Sequence, residues 1–193
     1  MTVLLEDGIE MATIDEQALD TLFDEMAAPA GYKAEIVGGV IHKSPQLRIH
    51  FEIIRRILRV LEDAFGMDVL VLSDVRIDFP GHLNGFCPDV AMLRDGAQPG
   101  PGERWRYQDV EFVAEVISRG TARNDYEPKK SAYAQAEVPV YVIADPYQRR
   151  CHAYTDPKEG IYMTELTVAF GGDVDLSSTS LGLVLPTKDF PVE

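Results

Sequence analysis

Asp89, Glu115 and Lys129 are the residues whose types and spacing could do chemistry. Asp89 follows Pro88 in the run Phe86-Cys87-Pro88-Asp89-Val90-Ala91-Met92-Leu93, and Glu115 lies inside Val113-Ala114-Glu115-Val116-Ile117, with Lys129-Lys130 further on. Two convergent carboxylates with few other protein ligands suit hard Mg2+ or Mn2+, which keep waters and phosphate oxygens in their remaining positions. A lysine beside them could orient or deprotonate a water, or stabilise the charge that builds on phosphorus. That is the chemistry of metal-dependent phosphodiester hydrolysis. One structural ion pair is the plainer account of the same three residues taken alone. Glu115 in particular needs a partner, because a carboxylate in a buried apolar strand must be protonated, ion-paired or metal-bound.

Other chemistries find less support. His42, His50, His82 and His152 show no zinc-ligand spacing, and Cys87 and Cys151 read as buried free thiols. There is no glycine-rich phosphate loop and no Gly-x-Ser-x-Gly elbow. The chain has 193 residues, 46% hydrophobic and 26% charged, which is the composition of one globular domain over 1–193 with a sizeable core. Its net charge of -14 argues against a broad electrostatic hold on nucleic acid but leaves room for a local basic groove. The opening Met1-Thr2-Val3-Leu4-Leu5 is cut off by Glu6 and Asp7, too short and acidic for a signal peptide. No run approaches the roughly 18 apolar residues of a membrane span. The expected location is cytoplasmic, without a membrane partner.

The elements that must position these residues can be read in order. Thr13-Ile14-Asp15-Glu16 has the form of a capping box, and Leu19, Leu22, Phe23 and Met26 follow at helical spacing, so a helix is expected over about 14–27. Tyr32–Val37 and Val40–Lys43 flank Gly38-Gly39 as a hairpin. Leu47, Phe51, Ile54, Leu58, Leu61 and Phe65 form one helical stripe over 46–65, with Gly66 as the stop. Arg48, Arg55 and Arg59 share another face of that helix, either a solvated face or a phosphate-contacting edge. The alternation over 68–79 predicts one long or two shorter strands, and Phe86–Leu93 reads as a strand with Asp89 on its rigid part.

Residues 94–108 form a long irregular loop, and 110–117 a buried strand. Pro128 suits the first turn of a helix carrying Lys129, Ala132, Tyr133 and Ala136, and 138–144 is the next buried strand. Strand, helix and strand of these lengths predict a βαβ crossover. Further strands are expected at about 149–155, 161–169 and 181–185. The fold class is α/β or α+β, a mixed sheet flanked by helices. Its parts are an N-terminal helix and hairpin over about 10–45, a core over about 46–150, and C-terminal strands over about 150–190.

The order Glu35-Ile36-Val37-x-Gly39, Ser44-Pro45, His50, Pro88-Asp89-Val90-Ala91, Val113-Ala114-Glu115-Val116-Ile117-Ser118, Asp125, Lys129, Tyr133-Ala134 and Val138-Pro139-x-Tyr141-x-x-x-Asp145-Pro146 resembles a known family. It is the bacterial family of putative restriction endonucleases of unknown function within the PD-(D/E)XK nuclease superfamily. The resemblance spans nearly the whole chain. It implies a restriction-endonuclease-like core, with Asp89 and Glu115 as metal-binding carboxylates, Glu35 as an assisting upstream acid and Lys129 as the lysine on the helix after the strand. The implied activity is Mg2+- or Mn2+-dependent DNA cleavage, and a homodimer would accord with cutting both strands.

Three positions depart from the pattern. Ile117 stands where the lysine of Glu-x-Lys would fall, so that role would have to move to Lys129. Glu137 replaces the usual glycine before Val-Pro, and Gly38-Gly39 replaces a common Asp-Gly turn. Ile117 and the acidic charge also fit the alternative, a catalytically inactive nuclease-like fold acting as a binding or regulatory module.

Overall fold

The computed structural model describes residues 14–26 and 28–192. Thr13 of the expected capping box and the opening acidic-apolar stretch lie outside the described residues. The elements run α1 (Ile14–Glu25), β1 (Tyr32–Val37), β2 (Val40–Pro45), α2 (Arg48–Phe65), β3 (Val71–Leu72), β4 (Ile77–Phe79), β5 (Asn84–Phe86), β6 (Val90–Leu93), β7 (Trp105–Arg106) and β8 (Val110–Val116). A helical segment follows, made of α3 (Ala122–Asn124), a π-turn over Asp125–Lys129 and α4 (Lys130–Gln135). The chain ends in β9 (Val140–Asp145), β10 (Arg150–Lys158), β11 (Ile161–Ala169), β12 (Asp173–Leu176) and β13 (Leu183–Pro186).

A mixed six-stranded sheet in the order β11-β10-β9-β8-β6-β3 forms the centre. Only β8 and β9 pair in parallel within it, joined by the helical segment, as the expected crossover requires. A second sheet, β2-β1-β5-β4-β7, and a two-stranded ribbon, β12-β13, complete the architecture. One face of the central sheet packs under α2 and the ribbon, through Ile53, Ile57, Phe112, Val142 and Leu185. The other packs under α4 and the second sheet, through Phe79, Phe86, Val113, Tyr133 and Tyr141. Tyr133 packs edge-on against the stacked pair Phe79 and Phe86, with ring centroids 4.8 and 5.6 Å away. Strand alternation therefore sends Val113, Glu115 and Ile117 of the central strand toward Tyr133 and α4.

Several expectations are met closely. The β1-β2 hairpin turns at Gly38 and Gly39, whose φ values of 59 and 77 suit glycine, with Val37 opposite Val40. The long helix stops at Gly66, where φ is 91 and the N–H reaches Glu62 O at 2.8 Å.

Of the two forms expected over 68–79 the chain takes two shorter strands: β3 joins the edge of the central sheet and β4 joins the second sheet, with Asp74 at φ 56 between them. Three expectations are corrected. Phe86–Leu93 is likewise split into β5 and β6, because the chain crosses from one sheet to the other at Cys87-Pro88-Asp89. Asp89 thus sits in the bend just before β6, not on a strand's rigid part. The buried face of α2 is His50, Ile53, Ile54, Ile57 and Leu61, rotated from the stripe expected, and Phe51 is left 65% exposed. Finally, Pro128 lies within the π-turn of a segment that begins at Ala122, so the helix starts earlier than its proline suggests.

Candidate functional site

Four elements bring charged side chains to one place. The inner hairpin strand β1, between β2 and β5, supplies Lys33 and Glu35, two residues apart and so on one side of the strand. The crossing at Cys87–Asp89 supplies Asp89, the C-terminal end of β8 supplies Glu115, and the π-turn supplies Asp125 and Lys129. Asp89 is anchored by its own carboxylate, which accepts the Val116 N–H at 2.7 Å. Its backbone N–H in turn points to Glu115 Oε2 at 3.4 Å. The two carboxylates are thereby locked to one another through the backbone.

Their oxygens converge on a cation that the sequence reasoning did not select. Lys33 Nζ lies 2.6 Å from Asp89 Oδ1 and 3.5 Å from Glu115 Oε2. Lys129, 0% exposed, sits behind them, 2.6 Å from Glu115 Oε1 and 3.0 Å from both Asp125 Oδ1 and Glu35 Oε2. Tyr133 donates its hydroxyl to Glu115 Oε1 at 2.7 Å, and the Cys87 N–H reaches Glu35 Oε2 at 3.4 Å. Lys130 faces away, its ammonium 4.7 Å from the Tyr154 ring centre.

The electrostatics follow from that packing. Burial alone would push Glu115 up, but Lys129 and Lys33, with hydrogen bonds from Lys129 and Tyr133, hold it down at about 2. Burial raises Asp89, with Lys33 opposing and Glu115 reinforcing the rise. Burial also pushes Asp125 up to about 7 against the pull of Lys129, with Glu115 and Glu35 adding to it. Asp74, hydrogen-bonded by Gln46, is pushed up to about 6 mainly by partial burial. For both lysines burial disfavours the charge, yet the surrounding carboxylates outweigh it and raise them well above the usual lysine value.

These groups form the floor of a cleft of about 540 Å³ that Lys33, Glu35, Asp74, Asp89, Glu115 and Asp125 all line. Ser44, Pro45 and His50 line it too, and Leu47, Phe51, Ile54 and Leu58 of α2 make one apolar wall. The structure thus brings together all four residues expected from sequence, Asp89, Glu115, Lys129 and Glu35. It adds Lys33, Asp125, Asp74 and Tyr133. The Lys33-x-Glu35 spacing in a strand-like run was a usable signal for Lys33, since period two puts both on one side. Ile117, only 1% exposed, is packed in the core on the same side as Glu115, and Lys129 from the helical segment covers that face instead.

As a test of fit to a divalent cation, Lys33's ammonium is a stand-in: two carboxylate oxygens from different elements already aim at one point of positive charge. Among the described residues no group of three or more His, Cys, Asp or Glu side chains is arranged to hold a metal. The donor set therefore suits an ion that takes two protein oxygens and fills its shell with water and phosphate oxygens.

The Uma2 family, described as putative restriction endonuclease, matches residues 20–188. The chain belongs to the Uma2 family. Glu35, Asp89, Glu115 and Lys129 all fall inside the matched span. The Uma2 chain is also similar in structure to a putative nuclease belonging to DUF820 from Anabaena variabilis, known from a crystal structure. The two share 15% identity with a TM-score of 0.67, over 89% of this chain and 96% of the other, a likeness of fold. No curated protein matches the chain. Among the described residues no helix is long and apolar enough to cross a membrane.

Proposed function

We propose that this Uma2 protein is a divalent-metal-dependent DNA endonuclease, hydrolysing phosphodiester bonds with Mg2+ or Mn2+ held by Asp89 and Glu115. The observation that carries this reading is the convergence of those two carboxylates on one cationic position at the floor of an open cleft. When bound there, the metal would polarise a phosphoryl oxygen and supply a water of lowered pKa. The chain's own groups have distinct parts. Lys129 and Lys33 hold the Glu115 carboxyl well below the usual carboxylate range, so near neutral pH it presents an acceptor. Lys33, on the cleft floor, carries an ammonium that a metal would displace from Asp89 and that could then face the non-bridging oxygens of a phosphate.

Lys129 has a different part from the one its position in the motif suggests. It is enclosed and held protonated by Asp125, Glu115 and Glu35, so it takes no proton from water. It is a positioning residue that fixes the Glu115 carboxylate, and Glu35 acts through it. Asp125 and Asp74, pushed up to about 7 and about 6, are cleft groups able to hold or release a proton near neutrality.

The test is cleavage of supercoiled plasmid and circular single-stranded DNA by wild type and Asp89→Asn, with Mg2+, Mn2+ or EDTA. The amide keeps an oxygen for the Val116 N–H, so the variant should fold while losing metal-dependent cutting by at least about a hundredfold. Cutting by Asp89→Asn at the wild-type rate, or cutting undiminished by EDTA, would refute the assignment. A second reading, a catalytically inactive binding module, is favoured by one observation: Lys33 already neutralises the carboxylate pair. A folded wild type that neither cuts nor binds Mn2+ in calorimetric titration would decide for it.

A further inference from the structure

The nuclease reading leaves the outer surface of α2 without a task. Its core residues face the central sheet, yet Leu47 and Phe51 are 41% and 65% exposed and, with Leu58, wall the cleft above the carboxylates. One exposed apolar side chain is ordinary, but a row of them along the mouth of an acidic cleft is a surface built for contact. Beside that row, on the solvent side of the same helix, stand Arg48, Arg55 and Arg59 at spacings of seven and four. Arg55 and Arg59 make no ion pair within 4 Å among the described residues, although Arg55 acts on the Glu52 carboxylate and Asp63 and Asp189 line the same hollow as both, and Arg48 is paired with Glu52 on the exposed surface. In a chain of net charge -14 these arginines are a local concentration of positive charge.

We infer that this face of α2 is a track for an unpaired DNA strand, with bases stacked on Phe51 and the neighbouring apolar wall and phosphates along Arg55 and Arg59. An aromatic side chain and a line of guanidinium groups running parallel is the arrangement that grips single strands, because every base offers a π-face and the backbone follows the charge. A duplex hides its base faces inside the stack and depends on many phosphate contacts, which so acidic a chain supplies poorly. The track leads the strand to Asp89 and Glu115, since both the wall and the carboxylates line one cleft. The inference rests on the nuclease reading for what happens to the strand, and on α2 alone for how the strand is held.

The experiment measures binding without cutting: fluorescence polarisation of a labelled mixed-sequence oligonucleotide of about 12 nucleotides, and of its duplex, in EDTA and again in Ca2+. The single strand should bind at least about tenfold more tightly than the duplex, and Phe51→Ala should weaken it by about tenfold. Phe51→Trp should keep the affinity and show tryptophan fluorescence quenched by the oligonucleotide, measured against wild type, while Arg55→Gln with Arg59→Gln should flatten the salt dependence. No binding in either buffer, equal affinity for duplex and single strand, or Phe51→Ala binding like wild type would overturn the inference. Single-strand binding by a protein that never cuts would uphold it and remove the nuclease reading instead.

Discussion

Lys129 shows how one side chain can be indispensable without touching a substrate. Its ammonium is fully enclosed and lies within 3.0 Å of oxygens on Glu35, Glu115 and Asp125. Removing it takes the ion-pair partner from buried Glu35 and Asp125 and leaves Glu115 only Lys33 at 3.5 Å, and breaking such a buried pair costs about 3–5 kcal/mol. Lys129→Met should therefore lower the denaturant midpoint sharply, with the slope unchanged, in a urea titration. A variant that unfolds with the wild type would show that the carboxylates do not need the cation. Activity lost in such a variant reports unfolding first, so it cannot by itself assign Lys129 to the reaction.

At the scale of elements, the join between α4 and β9 carries a visible strain. Val138 N–H bonds Tyr133 O at 3.0 Å and Glu137 N–H bonds Ala134 O at 3.1 Å, the paired bonds of a Schellman motif. The residue that must turn left-handed there is Glu137, at φ 57, where glycine would carry no Cβ penalty. The left-handed form costs a non-glycine residue about 1–2 kcal/mol, and glycine gives back roughly half of that as chain entropy. Glu137→Gly should therefore stabilise the protein by about 0.5–1 kcal/mol, seen as a melting temperature a few degrees higher. An unchanged or lower melting temperature would show that the Glu137 side chain contributes more than the turn costs. The family's glycine at this position thus has a backbone reason, which the sequence pattern alone showed only as a departure.

The whole molecule concentrates carboxylates whose ionisation opposes folding. Asp125, ordinarily near 3.8, is pushed up to about 7, and Asp74 from the same value to about 6. A raised carboxyl stabilises the folded state fully below its unfolded value, and that contribution is lost as pH rises through its folded value. Glu115 works in the opposite sense: lowered from 4.5 to about 2, it favours folding above 4.5 and loses that as pH falls toward 2. Stability should thus be greatest near pH 4 and decline toward pH 7.5, with the net charge of -14 adding repulsion in the same direction. Thermal melts across pH 5 to 8 check this, and Asp125→Asn should flatten the decline. A wild type whose melting temperature climbs from pH 5 to 7.5 would contradict it.

Much of this protein was settled by local pattern. The α1 and α2 helices, the Gly38-Gly39 hairpin, the buried β8 and β9 and their crossover all follow from periodicity and turn chemistry, which act over a few residues. The set Glu35, Asp89, Glu115 and Lys129 was legible too, from carboxylates in apolar runs and the family's order of motifs. Tertiary structure alone decided which sheet β3 and β4 joined, how far α2 rotated to leave Phe51 exposed, and that Asp89 lies in a crossing between sheets. It alone put Lys33 on the carboxylate pair, 56 residues from Asp89 and 82 from Glu115, and Lys129 on Glu35 across 94 residues. Such meetings depend on which faces pack together, and a two-residue strand or a lone lysine has no periodicity from which its distant partner could be read.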